Sequence, residues 1–162
     1  MKTYKLDERG NPLPEACREV AACINRAIEK YPEVELDMME GMVYNHDHPC
    51  GTTHCFAGLF LIGYNEPEVT KGKTTAIAYD KGVLELRELL GFNQSVDDQD
   101  IKIWAKNNPS FWGNNWGDLM FGDIMAFDRA KKPSQIAEWW EAVADRIEAY
   151  NKEMDQQQEA TL

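Results

Sequence analysis

The sequence lacks long apolar segments and is poor in basic residues. Its longest apolar run, residues 55–63, has about half of the roughly 20 residues that a membrane-spanning helix needs. Lys and Arg number 17 against 28 Asp and Glu, which gives a net charge of −11. Binding to a phosphate backbone requires clustered cations. The sequence therefore predicts a protein that neither spans a membrane nor binds nucleic acid directly.

The N-terminus and the cysteines indicate an intracellular chain. Residues 1–5 read Met-Lys-Thr-Tyr-Lys and mostly polar residues follow them, so the apolar core of a secretory signal is missing. The chain has four Cys, and cytosolic reductants keep such thiols reduced. We therefore expect a cytoplasmic protein without a structural disulfide, in which Cys17 and Cys23 are packing residues.

Apolar residues recur at helical spacing in the first half of the chain. Residues 17–31 carry them at steps of three and four, which predicts a first helix. A shorter helix is expected over residues 36–44. Residues 52–64 are apolar on nearly every side after their two threonines. They predict a buried central helix that begins at one of those threonines.

The second half of the chain also shows helical periodicity. Residues 79–90 place large apolar side chains at steps of four and three, and Gly91 follows as a left-handed C-terminal stop. The clearest helix covers residues 136–150. Residues 151–162 are rich in Glu, Gln and Asp, so we expect a frayed polar tail. No segment alternates with a period of two. The fold class predicted is all-α, a compact single-domain helical bundle over residues 1–150.

Reactive side chains concentrate in residues 46–55, which hold all three His and half of the Cys. One interpretation is a thiol-dependent enzyme with Cys50 as nucleophile. At a helix N-terminus the dipole would stabilise its thiolate, and His46, His48 or His54 would act as base. The other interpretation is that the thiols only pack where the central helix enters the core.

The same segment contains the ligand types of a zinc site. His46, His48, Cys50 and His54 would supply four nitrogen and sulfur ligands. Their spacing matches no zinc-finger or zinc-ribbon pattern. We therefore predict no bound metal. Because Walker-type loops and dinucleotide fingerprints are missing as well, no cofactor is predicted.

Two features suggest binding surfaces. Phe111, Trp112 and Trp116 lie in an Asn- and Gly-rich stretch, where aromatics either cover the core or form a binding hot spot. Residues 31–48 hold five carboxylates and no Lys or Arg, and residues 134–162 hold seven carboxylates against two basic residues. These acidic segments either solvate the surface or dock on a basic partner.

Three segments resemble a group of small bacterial and phage proteins of unknown function. The resemblance rests on Asp37-Met38, on residues 50–58 (Cys-Gly-Thr-Thr-His-Cys-Phe-Ala-Gly) and on residues 86–92 (Leu-Arg-Glu-Leu-Leu-Gly-Phe). The pattern of this group usually has a small residue where this chain has His54. The resemblance implies a phage or mobile-element origin and a compact helical fold, and it implies no activity.

These observations favour a non-enzymatic phage or bacterial accessory protein that binds another protein, in host takeover or counter-defence. The acidic segments and the aromatic stretch are the expected contact surfaces, and a DNA-mimic inhibitor is a sub-case. Two alternatives stay open. One is the thiol-dependent enzyme with Cys50 as nucleophile, and the other is a helical protein that binds a small ligand between the central helix and the aromatic stretch. The sequence does not fix the oligomeric state.

Overall fold

Four helices and three short strands make up the part of the chain that the structure describes. The structure, a computed structural model, describes residues 3–32, 35–36, 42–44, 52–54, 56–65, 84–92 and 133–161. In chain order the elements are α1 (Pro14–Lys30), β1 (Glu35–Leu36), β2 (Met42–Tyr44), β3 (Thr52–His54), α2 (Phe56–Asn65), α3 (84–90) and α4 (Pro133–Thr161). The predicted all-α class of fold is confirmed for these residues.

The buried apolar residues of all four helices form one cluster. α1 packs mainly against α4 and also against α2. Pro14 opens α1, where its fixed φ suits the first turn, and Lys30 lies in the last turn, where its charge offsets the helix dipole. Trp140 of α4 and Ile24 of α1 are fully buried in the cluster. The apolar residues that recur at steps of three and four in the sequence therefore form the buried faces of these helices.

α2 is the buried helix that the sequence predicts, but it begins later than expected. Phe60, Leu61 and Ile62 are at most 2% exposed. A start at residue 52 or 53 is wrong, because Thr52–His54 form β3 and the helix begins at Phe56. Threonine can cap a helix, and its β-branched side chain also suits a strand. In this protein Thr52 and Thr53 pair with β2 as part of a strand and do not cap α2.

The three strands form a small sheet with the order β1-β3-β2. β1 pairs parallel with β3, with Glu35 opposite Thr53, and β2 pairs antiparallel with β3, with Tyr44 opposite Thr52. The prediction of a helix over residues 36–44 is therefore wrong at both ends of that range, because residue 36 belongs to β1 and residues 42–44 form β2. Strands of two or three residues are too short to show a period of two.

α3 ends at the glycine that the sequence marks as a stop. Gly91 has a φ of +102°, in the left-handed region. Its N–H donates to the carbonyl of Glu88 at 3.2 Å, and the N–H of Phe92 donates to the carbonyl of Arg87 at 3.0 Å. This pair of bonds is the Schellman arrangement that satisfies the last carbonyls of a helix.

An N-terminal arm, residues 3–13, crosses the end of α3. The N–H of Tyr4 donates to the carbonyl of Leu89 at 3.2 Å. A Cβ at Gly91 would lie 2.7 Å from the backbone nitrogen of Leu6. Gly91 therefore serves both the turn and the close passage of the arm.

α4 continues beyond the point where a frayed tail is expected. The helix runs to Thr161, whereas its last buried residue is Ile147. Residues 151–161 contain good helix formers and neither Gly nor Pro, so they stay helical although most of their side chains are exposed. In the ranges described, no helix is long and apolar enough to cross a membrane.

α1 and α2 come into backbone contact at Gly63. A Cβ at this position would lie 1.6 Å from the carbonyl oxygen of Cys23 and 2.4 Å from its carbonyl carbon. Backbone atoms of a packed helix cannot rotate away as a flexible side chain does. Only glycine at position 63 allows the two helices to cross at this separation.

We expect Gly63→Ala to lower the free energy of unfolding by about 3 kcal/mol or more, because the added methyl group overlaps backbone atoms. Urea denaturation followed by circular dichroism measures the loss. The matched control is Gly10→Ala, since a Cβ at Gly10 meets nothing within 4 Å. Its φ of +81° makes that change cost about 1 kcal/mol. Equal losses in the two variants would contradict the close crossing.

Candidate functional site

Most of the residues predicted to be functional lie outside the described residues. These are His46, His48 and Cys50 of the reactive segment and Phe111, Trp112 and Trp116 of the aromatic stretch. His54 is the exception, because it ends β3. It lies opposite Leu36 of β1 and Met42 of β2.

The start of α2 removes one argument for an activated Cys50. That argument needs Cys50 in the first turn of a helix, where the dipole acts. α2 begins only at Phe56, and β3 lies between it and Cys50. Because His54 lies in a strand, Cys50 and His54 do not share a helical face. In the described part of the chain, no three His, Cys, Asp or Glu side chains are placed to hold a metal ion.

Cys17 and Cys23 are core residues, as the sequence predicts. Both are free thiols and 0% exposed. Burial raises the pKa of each thiol to about 12. Because only the thiolate is a good nucleophile, these two cysteines are unreactive at neutral pH while the protein is folded.

The most distinctive charged surface is a row of carboxylates on α4, which we call the acidic stripe. Its members follow one another at steps of three and four, interrupted only by Lys152, and all are exposed. They are Glu138, Glu141, Asp145, Glu148, Asp155 and Glu159. At 1.5 Å per residue the stripe is about 30 Å long. Like charges at this spacing repel one another along a helix, so the stripe needs compensation.

Arg18 of α1 supplies part of that compensation at the centre of the stripe. Its Nη2 lies 2.8 Å from Oε2 of Glu148 and 3.1 Å from Oδ1 of Asp145, and its Nε lies 3.8 Å from Oε2 of Glu141. One guanidinium thus contacts three carboxylates on two successive turns of α4. The contact joins α1 to α4 at the edge of their apolar interface.

Arg9 of the N-terminal arm contacts the stripe nearer its C-terminal end. Its Nη2 lies 2.9 Å from Oδ1 of Asp155, and its Nη1 donates to Oδ1 of Asn151 at 3.5 Å. The arm holds Arg9 in place because Oδ1 of Asp7 accepts the backbone N–H groups of Arg9 and Asn11 at 2.8 and 2.9 Å. This turn positions Arg9 toward α4.

Part of the negative charge of α4 stays available. Seven carboxylates against Arg146 and Lys152 give the helix a net charge of −5, and the docked Arg9 and Arg18 reduce it to −3. Glu138, Glu153 and Glu159 make no ion pair with any residue that the structure describes. The surface thus stays acidic after its internal ion pairs are formed.

A second charged cluster lies where α1 and α2 cross. Arg26 donates from Nε to the carbonyl of Gly63 at 2.9 Å. Its Nη2 donates to Oε1 of Glu19 at 2.9 Å and to Sγ of Cys23 at 3.1 Å. The hydrogen bond with Glu19 raises the pKa of Arg26 above its ordinary value. Arg26 therefore stays charged and fastens α2 to α1.

Sequence reasoning missed the three arginines that organise these clusters. The spacing of the carboxylates on α4 is visible in the sequence and marks the stripe. The partners are not visible, because Arg18 and Asp145 are 127 residues apart and Arg9 and Asp155 are 146 apart. Arg26 depends on the crossing at Gly63, which no local pattern reveals.

Comparison with known proteins gives no family for this chain. No protein-family model matches it, and neither a curated protein nor a solved structure is significantly similar to it.

In native protein at pH 8, we expect Cys17 and Cys23 to react with iodoacetamide far more slowly than an ordinary exposed thiol. Their pKa of about 12 leaves little thiolate, and burial blocks the reagent. Peptide mass spectrometry reads each cysteine separately, and urea-unfolded protein is the control. Labelling of either residue at the unfolded rate would contradict its buried position. The same experiment reports the reactivity of Cys50, so fast labelling of Cys50 alone would support the enzyme hypothesis.

We expect Arg18→Gln to lower the free energy of unfolding by about 0.5–1 kcal/mol at low salt. The contacts are partly exposed, so each contributes little, but three converge on one side chain. At about 1 M NaCl screening should remove most of the difference. Lys5→Gln is the control, because exposed Lys5 makes no ion pair with the described residues. A loss that persists at high salt would speak against an electrostatic origin.

Proposed function

We propose that this chain is a phage or bacterial accessory protein that acts by binding another protein, in host takeover or counter-defence. The observation that carries the proposal is the acidic stripe of α4. Its carboxylates are exposed, regularly spaced and only partly neutralised by Arg9 and Arg18. The partner would offer a basic surface, since opposite charges steer association and fix the register of two surfaces.

The two internal arginines indicate which chemistry the stripe accepts. Both bind it through guanidinium groups at 2.8–3.1 Å, the distance of a charge-assisted hydrogen bond. The stripe carboxylates outside these contacts, Glu138 and Glu159, lie toward the two ends of α4. A partner that carries separated Arg or Lys side chains fits this distribution.

The spacing of the charges argues against mimicry of DNA. Double-stranded DNA carries one negative charge per roughly 1.7 Å of its axis. The stripe carries six carboxylates over about 30 Å, so its charge density is several times lower. Proteins that recognise the dense charge of DNA would find too few contacts here. The proposal therefore favours a partner whose cations are spread along one protein surface.

The test is the triple variant Glu138→Lys, Glu153→Lys and Glu159→Lys, which reverses the charges of the two stripe carboxylates without an internal ion pair, Glu138 and Glu159, and of the neighbouring Glu153 of α4. We expect its affinity for the partner to fall at least about tenfold, because like charges brought together at an interface cost several kcal/mol. The partner would be captured from a bacterial lysate at low salt, identified by mass spectrometry, purified, and titrated against each variant by calorimetry.

The control is a second triple variant with the same change in net charge, Glu8→Lys, Glu15→Lys and Glu88→Lys. These carboxylates are exposed on the arm, α1 and α3. The control should bind the partner within about twofold of the wild type, because it leaves the stripe intact. If both triple variants lose affinity equally, only net charge matters and the stripe is not the contact surface. Unchanged affinity in the first variant would also refute the proposal.

A further inference from the structure

A cleft of about 350 Å³ lies beside the crossing of α1 and α2. It is lined by Arg26, Glu29 and Lys30 of α1 and by Ile62 and Gly63 of α2. Its volume falls at the lower end of the range of small-molecule sites, about 300–1,000 Å³. Ile62 is an apolar residue of this lining, although only 2% of it is exposed. Charged residues of α1 and an apolar residue of α2 thus line one small space.

Arg26 enters this cleft already held in place. Its Nε and both N–H groups of Nη2 are used by Gly63, Glu19 and Cys23. Nη1, with its two N–H groups, has no acceptor among the residues that the structure describes. A guanidinium that is fixed before a ligand arrives loses little side-chain entropy on binding.

Lys30 adds a second positive charge on the same side of α1. It follows Arg26 by four residues, so both lie on one face of the helix, and both line the cleft. Its Nζ lies 5.9 Å from the centre of the Tyr31 ring. Arg26 and Lys30 are the two cations of the lining. Arg26 is ion-paired with Glu19 through Nη2, so an anionic group would bind at its Nη1 and at Lys30.

Glu29 limits which anion fits. Glu29 lines the same cleft. A carboxylate there would repel a ligand with two negative charges close together and would accept a hydrogen bond from an amino or hydroxyl group. We propose that the cleft binds a small monocarboxylate that carries an amino or hydroxyl group, with the carboxylate at Arg26 and Lys30 and the donor at Glu29. This site is separate from the acidic stripe.

The test is a titration followed by two-dimensional ¹H–¹⁵N NMR, with glycine, lactate, acetate and inorganic phosphate as probes at constant ionic strength. We expect saturable shifts of the amides of Arg26, Lys30 and Gly63 with glycine and lactate. Acetate lacks the second group and phosphate carries more charge, so both should bind about tenfold more weakly. Shifts that do not saturate, or that scatter over the surface, would refute the site.

Variants separate the roles of the lining residues. Lys30→Gln should lower the affinity for glycine and for lactate about tenfold, whereas Lys152→Gln on α4 should leave both affinities unchanged. Glu29→Gln should remove the preference for glycine over acetate. Circular dichroism checks that each variant is folded, and Arg26 is left intact because it also fastens α2. Equal affinities in Lys30→Gln and Lys152→Gln, or a preference for phosphate that survives in every variant, would overturn the proposal.

Discussion

The rest of the described structure depends on the contact between Gly63 and the backbone of Cys23. This contact sets the distance between α1 and α2. At that distance the carbonyl of Gly63 comes within 2.9 Å of Arg26, and Phe60 is fully buried in the cluster that α1 shares with α4. A larger residue at position 63 would move α2 outward. It would weaken the Arg26 bond and the packing of Phe60 together.

Charge is the second constraint, and it acts between elements that are far apart in the sequence. Taken alone, α4 carries carboxylates one turn apart that repel one another. The fold places Arg18 of α1 and Arg9 of the arm beside them. The acidic helix is thus better accommodated in the folded protein than as an isolated segment. The carboxylates of α4 therefore do more than cover the surface. Their ion pairs with Arg18 and Arg9 also help to position α1 and the arm against α4.

The helices were predictable where their pattern is long and local. The faces of α1 and α4 follow from apolar steps of three and four, and the end of α3 follows from Gly91. The sheet was not predictable, because strands of two or three residues show no period and exist only through pairing with distant residues. The start of α2 was misplaced for the same reason. Thr52 and Thr53 fit a cap and a strand equally well.

The candidate sites were predictable only in part. The acidity of the last helix is plain in the sequence, and the packing role of Cys17 and Cys23 in α1 was predicted. The cleft beside Gly63 was not foreseen. It needs Arg26 and Lys30 on one helix, Ile62 on another, and a crossing angle that brings them together. Local sequence patterns show the residues of such a site, but they do not show that these residues lie close together in the fold.

The packing of α1 against α4 also determines when the chain can fold. Arg18 and its carboxylate partner Asp145 are separated by 127 residues, so the apolar face of α1 has no α4 to cover it until residues 133–161 have been synthesised. Folds dominated by such distant contacts form more slowly than those built from neighbours. During translation, which adds about 5–20 residues per second, α1 waits several seconds for its principal partner. Until α4 has been made, Val20 and Ile24 of α1 stay without the helix that covers them in the folded core.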